Sequence, residues 1–369
     1  MNKSKVNHEK FMRLALKLAV RAKGLTNPNP LVGAVVVKNN KIVGQGYHRR
    51  AGAAHAEVVA LDQAGRAAGA SRLYVTLEPC GHIGRTAPCV EKIVASGVKE
   101  VIMAMSDPNP LNNGKGEQFL RRRGIKVTSG VLEKEAQDIN QVFIKYITKH
   151  LPFVTVKLAQ SLDGKIATST GDSRWISSES SRKYVHKLRS QVDAILVGKN
   201  TVLKDDPLLS SRSKTQLSQK QPQKIVVDSK LRLRNNLKIF SAASPAPVIL
   251  ATTRLASGER IAAFRKKAQV IIARDKDKRV DLRDLLHKLA KQEIAHVLIE
   301  GGSEIVASAL KEKLVDQLIL FIAPKIVGGR GAPTAVAGKG VSTIRQASLL
   351  KDIQFKKIDT DLVVEGRLS

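Results

Sequence analysis

Cysteine is nearly absent from the chain, whose 369 residues include only Cys80 and Cys89. Two cysteines cannot build a disulfide framework, and two thiols this close together are more typical of metal binding in a reducing compartment. The sequence also lacks any long apolar run, so it predicts neither a membrane span nor a signal peptide. We therefore expect a cytoplasmic protein with no membrane partner.

Aromatic and acidic residues are also scarce. Aromatic residues make up 4% of the chain, which leaves few platforms for stacking nucleic-acid bases. The 63 lysines and arginines outnumber 32 acidic residues, and a net charge of +31 attracts polyanions. Because the cations are spread along the chain, the charge favours small phosphorylated ligands over nucleic acid.

The length exceeds what one ordinary hydrophobic core supports, so we expect two domains. The boundary is predicted near Leu151-Pro152, giving domains over 1–150 and 151–369. In the first domain, predicted strands alternate with helices, which indicates an α/β layer fold with a largely parallel sheet. The pattern predicts a hairpin turn at Asn39-Asn40 and one helix over 133–149.

The most informative residues are His55, Glu57, Cys80 and Cys89. The pattern H-x-E followed by P-C is typical of zinc-dependent base deaminases. One imidazole and two thiolates would hold zinc and leave the fourth tetrahedral position open for water. Glu57, two residues after the histidine, would lie close to the metal as a general acid and base.

The spacing of the two cysteines departs from the usual P-C-x-x-C, because eight residues separate them. Gly81 and Gly84 would allow a loop to leave and return, and Pro88 would begin a helix with Cys89 in its first turn. The alternatives are two unrelated buried thiols, or a structural zinc site with His82 as the fourth ligand. The occurrence of both cysteines in this one stretch favours a catalytic zinc.

In the second half, Glu300-Gly301-Gly302-Ser303 is predicted to join a strand to a helix. Such a turn could bind a pyrophosphate at the helix start, but a tight turn without a ligand explains it equally well. The full G-x-G-x-x-G pattern is absent, so the sequence does not predict a Rossmann domain.

Taken together, the motifs resemble the RibD family of bifunctional riboflavin-biosynthesis proteins, in which a deaminase is fused to a reductase. The first half is similar through the stretches Pro28–Gly33, His55–Glu57 and Pro79–Cys89, including the eight-residue gap. The second half is similar through the stretches Ser161–Ala167, Trp175-Ile176, Thr201–Pro207 and Glu300–Gly302. The resemblance covers nearly the whole chain.

The resemblance implies a cytidine-deaminase-like three-layer α/β/α domain followed by a dihydrofolate-reductase-like α/β domain. It implies hydrolytic deamination of 2,5-diamino-6-(5-phosphoribosylamino)pyrimidin-4(3H)-one with one Zn²⁺ per chain. It then implies reduction of 5-amino-6-(5-phosphoribosylamino)uracil to the ribitylamino product by NADPH. The partner would be this small phosphorylated pyrimidine, and we expect a homo-oligomer, either a dimer or a tetramer.

The resemblance also implies roles for individual residues. In the first domain Asn29 would contact the pyrimidine, and His48, His82 and Arg85 are further candidates to orient it. Lys157 and Asp163 are candidates for the proton source of the reductase because of their position around the end of the first strand of the second domain, not through the resemblance. The residues expected to bind the cofactor are Ala159, Trp175, Thr201, Asp205, Ser229, Gly302 and Ser303. Those expected to bind the sugar-phosphate substrate are Ser173, Arg189, Leu209, Arg212 and Glu300.

Two other functions remain open from the sequence. A nucleic-acid base deaminase, such as a tRNA editor with an accessory domain, would suit the positive charge but leaves the second half without a role. A zinc-stapled RNA-binding module would need no catalytic residue, and Glu57 beside an open coordination position argues against it.

Overall fold

The computed structural model describes residues 7–81, 88–212, 220–241 and 246–368. The chain divides into two compact units, Met1–His150 and Leu151–Ser369. Both units combine a central sheet with helices. No helix within the described ranges is long and apolar enough to cross a membrane.

The first unit contains a five-stranded sheet in the order β2-β1-β3-β4-β5. Strands β1 and β2 form a hairpin, β1 also pairs antiparallel with β3, and the remaining pairs are parallel. The strands are β1 (Gly33–Lys38), β2 (Lys41–Tyr47), β3 (Arg72–Val75), β4 (Glu100–Met103) and β5 (Lys126–Thr128). The helices are α1 (His8–Val20), α2 (Ala56–Ala64), α3 (Cys89–Ala95), α4 (Lys115–Arg122), α5 (Glu133–Ile139) and α6 (Gln141–Lys149).

Helices cover both faces of this sheet, because side chains alternate across each strand. On β1, Ala34 and Val36 face a core that includes α2 and α3, whereas Val35 and Val37 face a core that includes α1 and α6. The result is the expected three-layer α/β/α arrangement.

Three glycines allow helices to lie unusually close to the hairpin. A Cβ atom at Gly33 would lie 2.0 Å from the Ala15 carbonyl oxygen of α1. Cβ atoms at Gly44 and Gly46 would lie 2.1 Å and 2.7 Å from carbonyl oxygens of α2. Real Cβ atoms are essentially never found at such distances, so these contacts require glycine.

The second unit contains a nine-stranded sheet in the order β10-β9-β8-β7-β13-β6-β14-β16-β15. The first seven strands in this order, from β10 at one edge to β14, run parallel to one another. Strands β16 and β15 then add an antiparallel edge. The strands are β6 (Phe153–Ser161), β7 (Ala194–Gly198), β8 (Gln223–Val227), β9 (Val248–Thr252), β10 (Gln269–Ile272), β13 (His296–Glu300), β14 (Gln317–Ala323), β15 (Leu350–Ile358) and β16 (Asp361–Leu368). Two further short strands, β11 (Asp275–Lys276) and β12 (Arg279–Val280), form a separate hairpin.

The helices of the second unit again lie on both faces of the sheet. One core includes residues of α10 and α11, and a second core includes residues of α8 and α9. The helices are α7 (Glu179–Ser190), α8 (Lys199–Asp205), α9 (Gly258–Arg265), α10 (Leu282–Ala290) and α11 (Ser303–Lys311).

The predicted hairpin at Asn39-Asn40 is confirmed, and both asparagines adopt the positive φ that a two-residue turn requires. The prediction of one helix over 133–149 is wrong, because the structure ends α5 at Ile139 and begins α6 at Gln141. The reason is Asn140, whose buried side chain bonds both backbone groups of Leu31. The sheet of the first unit is also less parallel than expected, because three of its five strands run antiparallel to a neighbour.

Candidate functional site

The structure brings His55, Cys80 and Cys89 together, with one ligand atom from each lying within 4.8 Å of the others. The Nδ1 atom of His55 lies 2.9 Å from Cys89 Sγ and 3.5 Å from Cys80 Sγ. Neither cysteine forms a disulfide. Within the described ranges, this is the only cluster of three or more His, Cys, Asp or Glu residues whose geometry could hold a metal ion.

Two of these three residues are placed by helix starts. His55 is the residue immediately before α2, and Cys89 is the first residue of α3, directly after Pro88. Cys80 lies in an irregular segment after β3, where its sulfur accepts a hydrogen bond of 3.3 Å from the Cys89 backbone N–H. One nitrogen and two sulfur donors fit zinc, and three protein ligands leave one tetrahedral position for a water or substrate.

The two cysteine side chains interact, and the interaction shifts their pKa values in opposite directions. A hydrogen bond from the Cys89 side chain lowers the pKa of Cys80 to about 4, and the same interaction raises the pKa of Cys89. Zinc takes cysteine as thiolate, so metal binding would displace the proton that Cys89 retains.

Glu57 is the second residue of α2, in its first turn, and is only 4% exposed. Burial raises its pKa to about 7, and the charge of His55 opposes that rise. Its carboxyl group interacts with the Cys89 side chain, so it lies beside the cluster. A carboxyl group that titrates near neutral pH can both accept and release a proton at that pH, as a general acid and base must.

The expected pyrimidine contacts Asn29 and His48 lie next to each other. Asn29 Nδ2 is 3.3 Å from His48 Nε2, and His48 Nδ1 is 3.2 Å from the Ala54 carbonyl oxygen. The His48 and His55 rings meet edge to face with centroids 5.6 Å apart. Burial lowers the pKa of His48, so its neutral ring donates to Ala54 and accepts from the Asn29 amide. His82 and Arg85, the other two candidates, lie outside the described residues.

The second unit contains a cavity of about 240 Å³ beside the Gly301-Gly302 turn. Both glycines have positive φ, 81° and 79°, and α11 begins immediately after them. Nine of the residues expected to form the reductase site line this cavity: Lys157, Ala159, Arg189, Thr201, Asp205, Leu209, Glu300, Gly302 and Ser303.

A buried ion pair lies in this cavity. The Arg189 guanidinium donates two hydrogen bonds of 2.7 Å to the Glu300 carboxylate. Burial opposes the charged form of each, but their mutual attraction outweighs it, so the pKa of Glu300 is lowered and that of Arg189 is raised. Lys157 lies nearby, and burial, reinforced by the Arg189 cation, lowers its pKa.

The other expected reductase residues, Asp163, Ser173, Trp175, Arg212 and Ser229, do not line the cavity. The Asp163 carboxylate accepts hydrogen bonds from Ser161 Oγ and from the backbone N–H groups of Val327 and Gly328. These bonds lower its pKa to about 2, so it is ionised at neutral pH and holds a loop.

Trp175 is 62% exposed, with the Arg182 guanidinium 4.4 Å from the centre of its ring. The Ser229 hydroxyl accepts a hydrogen bond from the Val280 N–H. Both residues therefore lie on loops outside the walls of the cavity, where a bound cofactor would have to extend to meet them.

The sequence-based site omitted five residues that line the cavity: Leu158, Ile166, Pro207, Gly301 and Ala335. Gly301 could have been included, because it belongs to the predicted glycine turn. Ala335 carries no such signal. Ala335 belongs to a segment held by two backbone hydrogen bonds. The Pro333 carbonyl accepts one from the Ile166 N–H, and the Ala337 N–H donates the other to the Ser303 carbonyl.

Comparison with known proteins matches both halves of the chain. Residues 5–105 match the cytidine and deoxycytidylate deaminase zinc-binding region, and residues 152–364 match the RibD C-terminal domain. The riboflavin biosynthesis protein RibD of Aquifex aeolicus (strain VF5) is 45% identical over 355 residues, which cover 96% of each chain.

Two solved structures are similar over nearly the full length. Acinetobacter baumannii RibD, form 1, has 34% identity and a TM-score of 0.87, covering 98% of this chain and 99% of that one. A diaminohydroxyphosphoribosylaminopyrimidine deaminase/5-amino-6-(5-phosphoribosylamino)uracil reductase from Thermotoga maritima has 35% identity and a TM-score of 0.84, with the same coverage.

These matches confirm the expected fold class in both halves. They also confirm the zinc expectation, because the zinc-binding match coincides with the observed His, Cys and Cys cluster. They argue against a nucleic-acid deaminase with an accessory domain, because residues 152–364 match a defined domain family of their own.

Proposed function

The chain belongs to the RibD family of bifunctional riboflavin-biosynthesis enzymes, and from this premise we propose that it catalyses two successive reactions on one phosphorylated pyrimidine. The family's cofactors are zinc for the deaminase domain and NADPH for the reductase domain. Residues 1–150 would deaminate 2,5-diamino-6-(5-phosphoribosylamino)pyrimidin-4(3H)-one. Residues 151–369 would then reduce 5-amino-6-(5-phosphoribosylamino)uracil to its ribitylamino form.

In the deamination, His55, Cys80 and Cys89 would hold the metal. When bound, zinc supplies Lewis acidity that makes a water molecule nucleophilic at neutral pH. Glu57 would take the proton from that water and deliver it first to the pyrimidine ring and then to the departing amine. Its raised pKa, about 7, suits this exchange.

Asn29 and His48 would orient the pyrimidine. Neutral His48 fixes which way the Asn29 amide faces, because its Nε2 accepts from the Asn29 NH₂ group. The Asn29 side-chain oxygen is then turned away from the imidazole and can accept a hydrogen bond from a ring N–H or amino group. His82 and Arg85 remain candidates for further substrate contacts.

In the reduction, Gly302 and Ser303 would receive the cofactor pyrophosphate at the start of α11, where free N–H groups favour an anion. Thr201 and Asp205 line the same cavity and would also contact the cofactor, and Ala159, Trp175 and Ser229 would contact other parts of it. The sugar-phosphate substrate would bind to Ser173, Arg189, Leu209, Arg212 and Glu300.

Lys157 is the better candidate for the proton donor, because it lines the cavity. Asp163 would instead hold its loop, since its ionised carboxylate has no proton to give at neutral pH.

We also propose that the protein is cytoplasmic and forms a homo-oligomer. The support for an oligomer is β15, the last strand of the nine-stranded sheet in the described part of the chain. It is nine residues long and exposes Phe355 by 67%. Edge strands of this length with exposed apolar side chains pair readily with another strand, and a second copy would supply the same strand.

The single observation that carries the proposed function is the convergence of His55, Cys80 and Cys89 with buried Glu57 beside them. The test is to incubate the purified protein with the diaminopyrimidine substrate, with and without NADPH, while following ammonia release and NADPH absorbance. The variant E57Q keeps all three ligands and serves as the comparison.

We expect the wild type to release ammonia without NADPH and to oxidise NADPH only after deamination. We expect E57Q to retain zinc, to lose ammonia release by at least about 100-fold, and to oxidise NADPH when given the deaminated pyrimidine. Ammonia release at the wild-type rate by E57Q would rule out the assigned role of Glu57. Ammonia release without any NADPH oxidation would leave only the first half of the proposal.

A further inference from the structure

The three residues of the zinc cluster are not anchored equally. His55 and Cys89 are each fixed at the start of a helix, but Cys80 lies in a segment that is neither helix nor strand. A zinc site needs ligand positions held to within about 0.5 Å. Something other than secondary structure must therefore hold the backbone on either side of Cys80.

Asn112 makes contact on both sides of this cysteine. Its Oδ1 atom accepts a hydrogen bond of 2.8 Å from the Gly81 N–H, and its Nδ2 group donates to the Pro79 carbonyl oxygen at 3.4 Å. The side chain is completely buried. A single amide group thus bridges the peptide groups immediately before and after Cys80.

The orientation of that amide is itself determined. Asn112 Nδ2 also donates to Asp107 Oδ2 at 3.1 Å. A carboxylate can only accept, so it selects the NH₂ end of the amide and leaves the oxygen facing Gly81. If the amide were reversed, its oxygen would meet both the Asp107 carboxylate and the Pro79 carbonyl.

The segment that carries Asn112 is fixed to the cysteine segment by Glu78. The buried Glu78 carboxylate accepts hydrogen bonds of 3.0, 3.0 and 3.1 Å from the backbone N–H groups of Asp107, Gly114 and Glu117. At Gly116, a Cβ atom would lie 2.0 Å from the Pro79 carbonyl oxygen. The start of α4 therefore packs directly against the backbone preceding Cys80.

We propose that Asn112, oriented by Asp107, is a positioning residue that fixes Cys80 and thereby sets the zinc affinity of the cluster. The side-chain hydrogen bonds of Asn112 go to Gly81, Pro79 and Asp107, so its effect on the cluster passes through the backbone of Cys80. This inference rests on the proposed zinc deaminase, and it adds residues outside the H-x-E and P-C motifs to the function of that site.

The test measures the zinc dissociation constant of the full chain by competition with a chromophoric chelator, and the absorption spectrum after substitution with Co²⁺. The variant N112A removes both bridging bonds. D107N keeps the bridge but replaces the carboxylate, which only accepts, by an amide whose NH₂ group competes for the two positions now facing Asn112 and the Asn109 N–H. The matched control is N140A, because Asn140 is also buried in the first unit and bonds both backbone groups of Leu31.

We expect N112A to weaken zinc binding by about 10- to 100-fold, the range seen when groups supporting metal ligands are removed. D107N should weaken it less, by up to about tenfold. Both should alter the sulfur-to-cobalt absorption bands. N140A should lower the unfolding temperature about as much as N112A does, but it should leave the zinc dissociation constant within about threefold of wild type.

Unchanged zinc affinity and an unchanged cobalt spectrum in N112A would overturn the proposal, as would an equal loss of affinity in N112A and N140A. If N112A does not fold, D107N decides by the same two measurements. Failure of the wild type to bind one zinc per chain would instead refute the proposed function of the site.

Discussion

In the proposed reductase site, Lys157 has an unusual environment for a lysine. It lines the cavity with the Arg189–Glu300 ion pair, and its Nζ atom lies 5.5 Å from the centre of the Phe321 ring. Burial lowers its pKa, the Arg189 cation lowers it further, and Glu300 opposes both effects. The Lys157 ammonium group therefore releases a proton more readily than the ammonium group of an exposed lysine.

If Lys157 donates the proton during reduction, its protonated form is the active one. We therefore expect kcat for the deaminated substrate to fall as pH rises through a value below about 10.4, the ordinary lysine pKa. In K157M the overall rate should drop by at least about 100-fold and this alkaline decline should disappear. The measurement is a pH profile of NADPH oxidation for both proteins. An identical alkaline decline in K157M would assign the titration to another group.

Sequence patterns identified the zinc cluster because its three ligands and Glu57 are close in sequence or flanked by clear motifs. They also identified most of the cavity wall through the family resemblance. They could not identify Asn112, because its contacts with Pro79 and Gly81 join segments that only the folded chain brings together. They could not locate Ala335 for the same reason.

At the scale of elements, the position of α2 depends on its close packing against β2. The first turn of α2 follows His55 and contains Glu57, so any shift of this helix moves both residues. A Cβ atom at Gly46 would lie 2.7 Å from the Ala56 carbonyl oxygen and 2.7 Å from Val59 Cβ. The hairpin therefore helps to place the site although it contributes no ligand.

We expect G46A to displace α2, to lower the free energy of unfolding by about 1–3 kcal/mol, and to reduce ammonia release more than NADPH oxidation. The control is G69A in the same unit, where a Cβ atom would lie 3.6 Å from its nearest neighbour, the Arg66 carbonyl oxygen. Thermal unfolding and the two activity assays measure the outcome. Equal behaviour of G46A and G69A would show that the helix tolerates the added methyl group.

The boundaries of elements were less predictable than their order. The hydrophobic pattern over 133–149 is continuous, and nothing in it indicates that Asn140 bonds Leu31, more than a hundred positions earlier. The antiparallel strands of the first unit were partly visible, because Asn39-Asn40 indicated the hairpin. The pairing of β1 with β3 joins strands distant in sequence and had no local signal.

At the scale of the whole molecule, the proposed oligomer depends on the exposed strand β15. We expect the wild type to have a solution mass that is a multiple of the 40.1 kDa chain. F355K should reduce that mass, because a charge on an edge strand opposes pairing with a second copy. L255K, which alters an exposed leucine elsewhere in the same unit, should not. Light scattering after size exclusion distinguishes these outcomes, and a monomeric wild type would refute the proposal.

The position of β6 has a consequence for synthesis on the ribosome. This strand begins the second unit, yet it pairs with β13 on one side and β14 on the other, as in Phe153 with His296 and Thr155 with Gln317. All strands of the first unit lie before residue 129, so that unit can fold while translation continues. The second unit cannot complete its sheet until the C-terminal part of the chain has emerged. Messages truncated before codon 317 should therefore yield a folded deaminase unit attached to an aggregation-prone remainder.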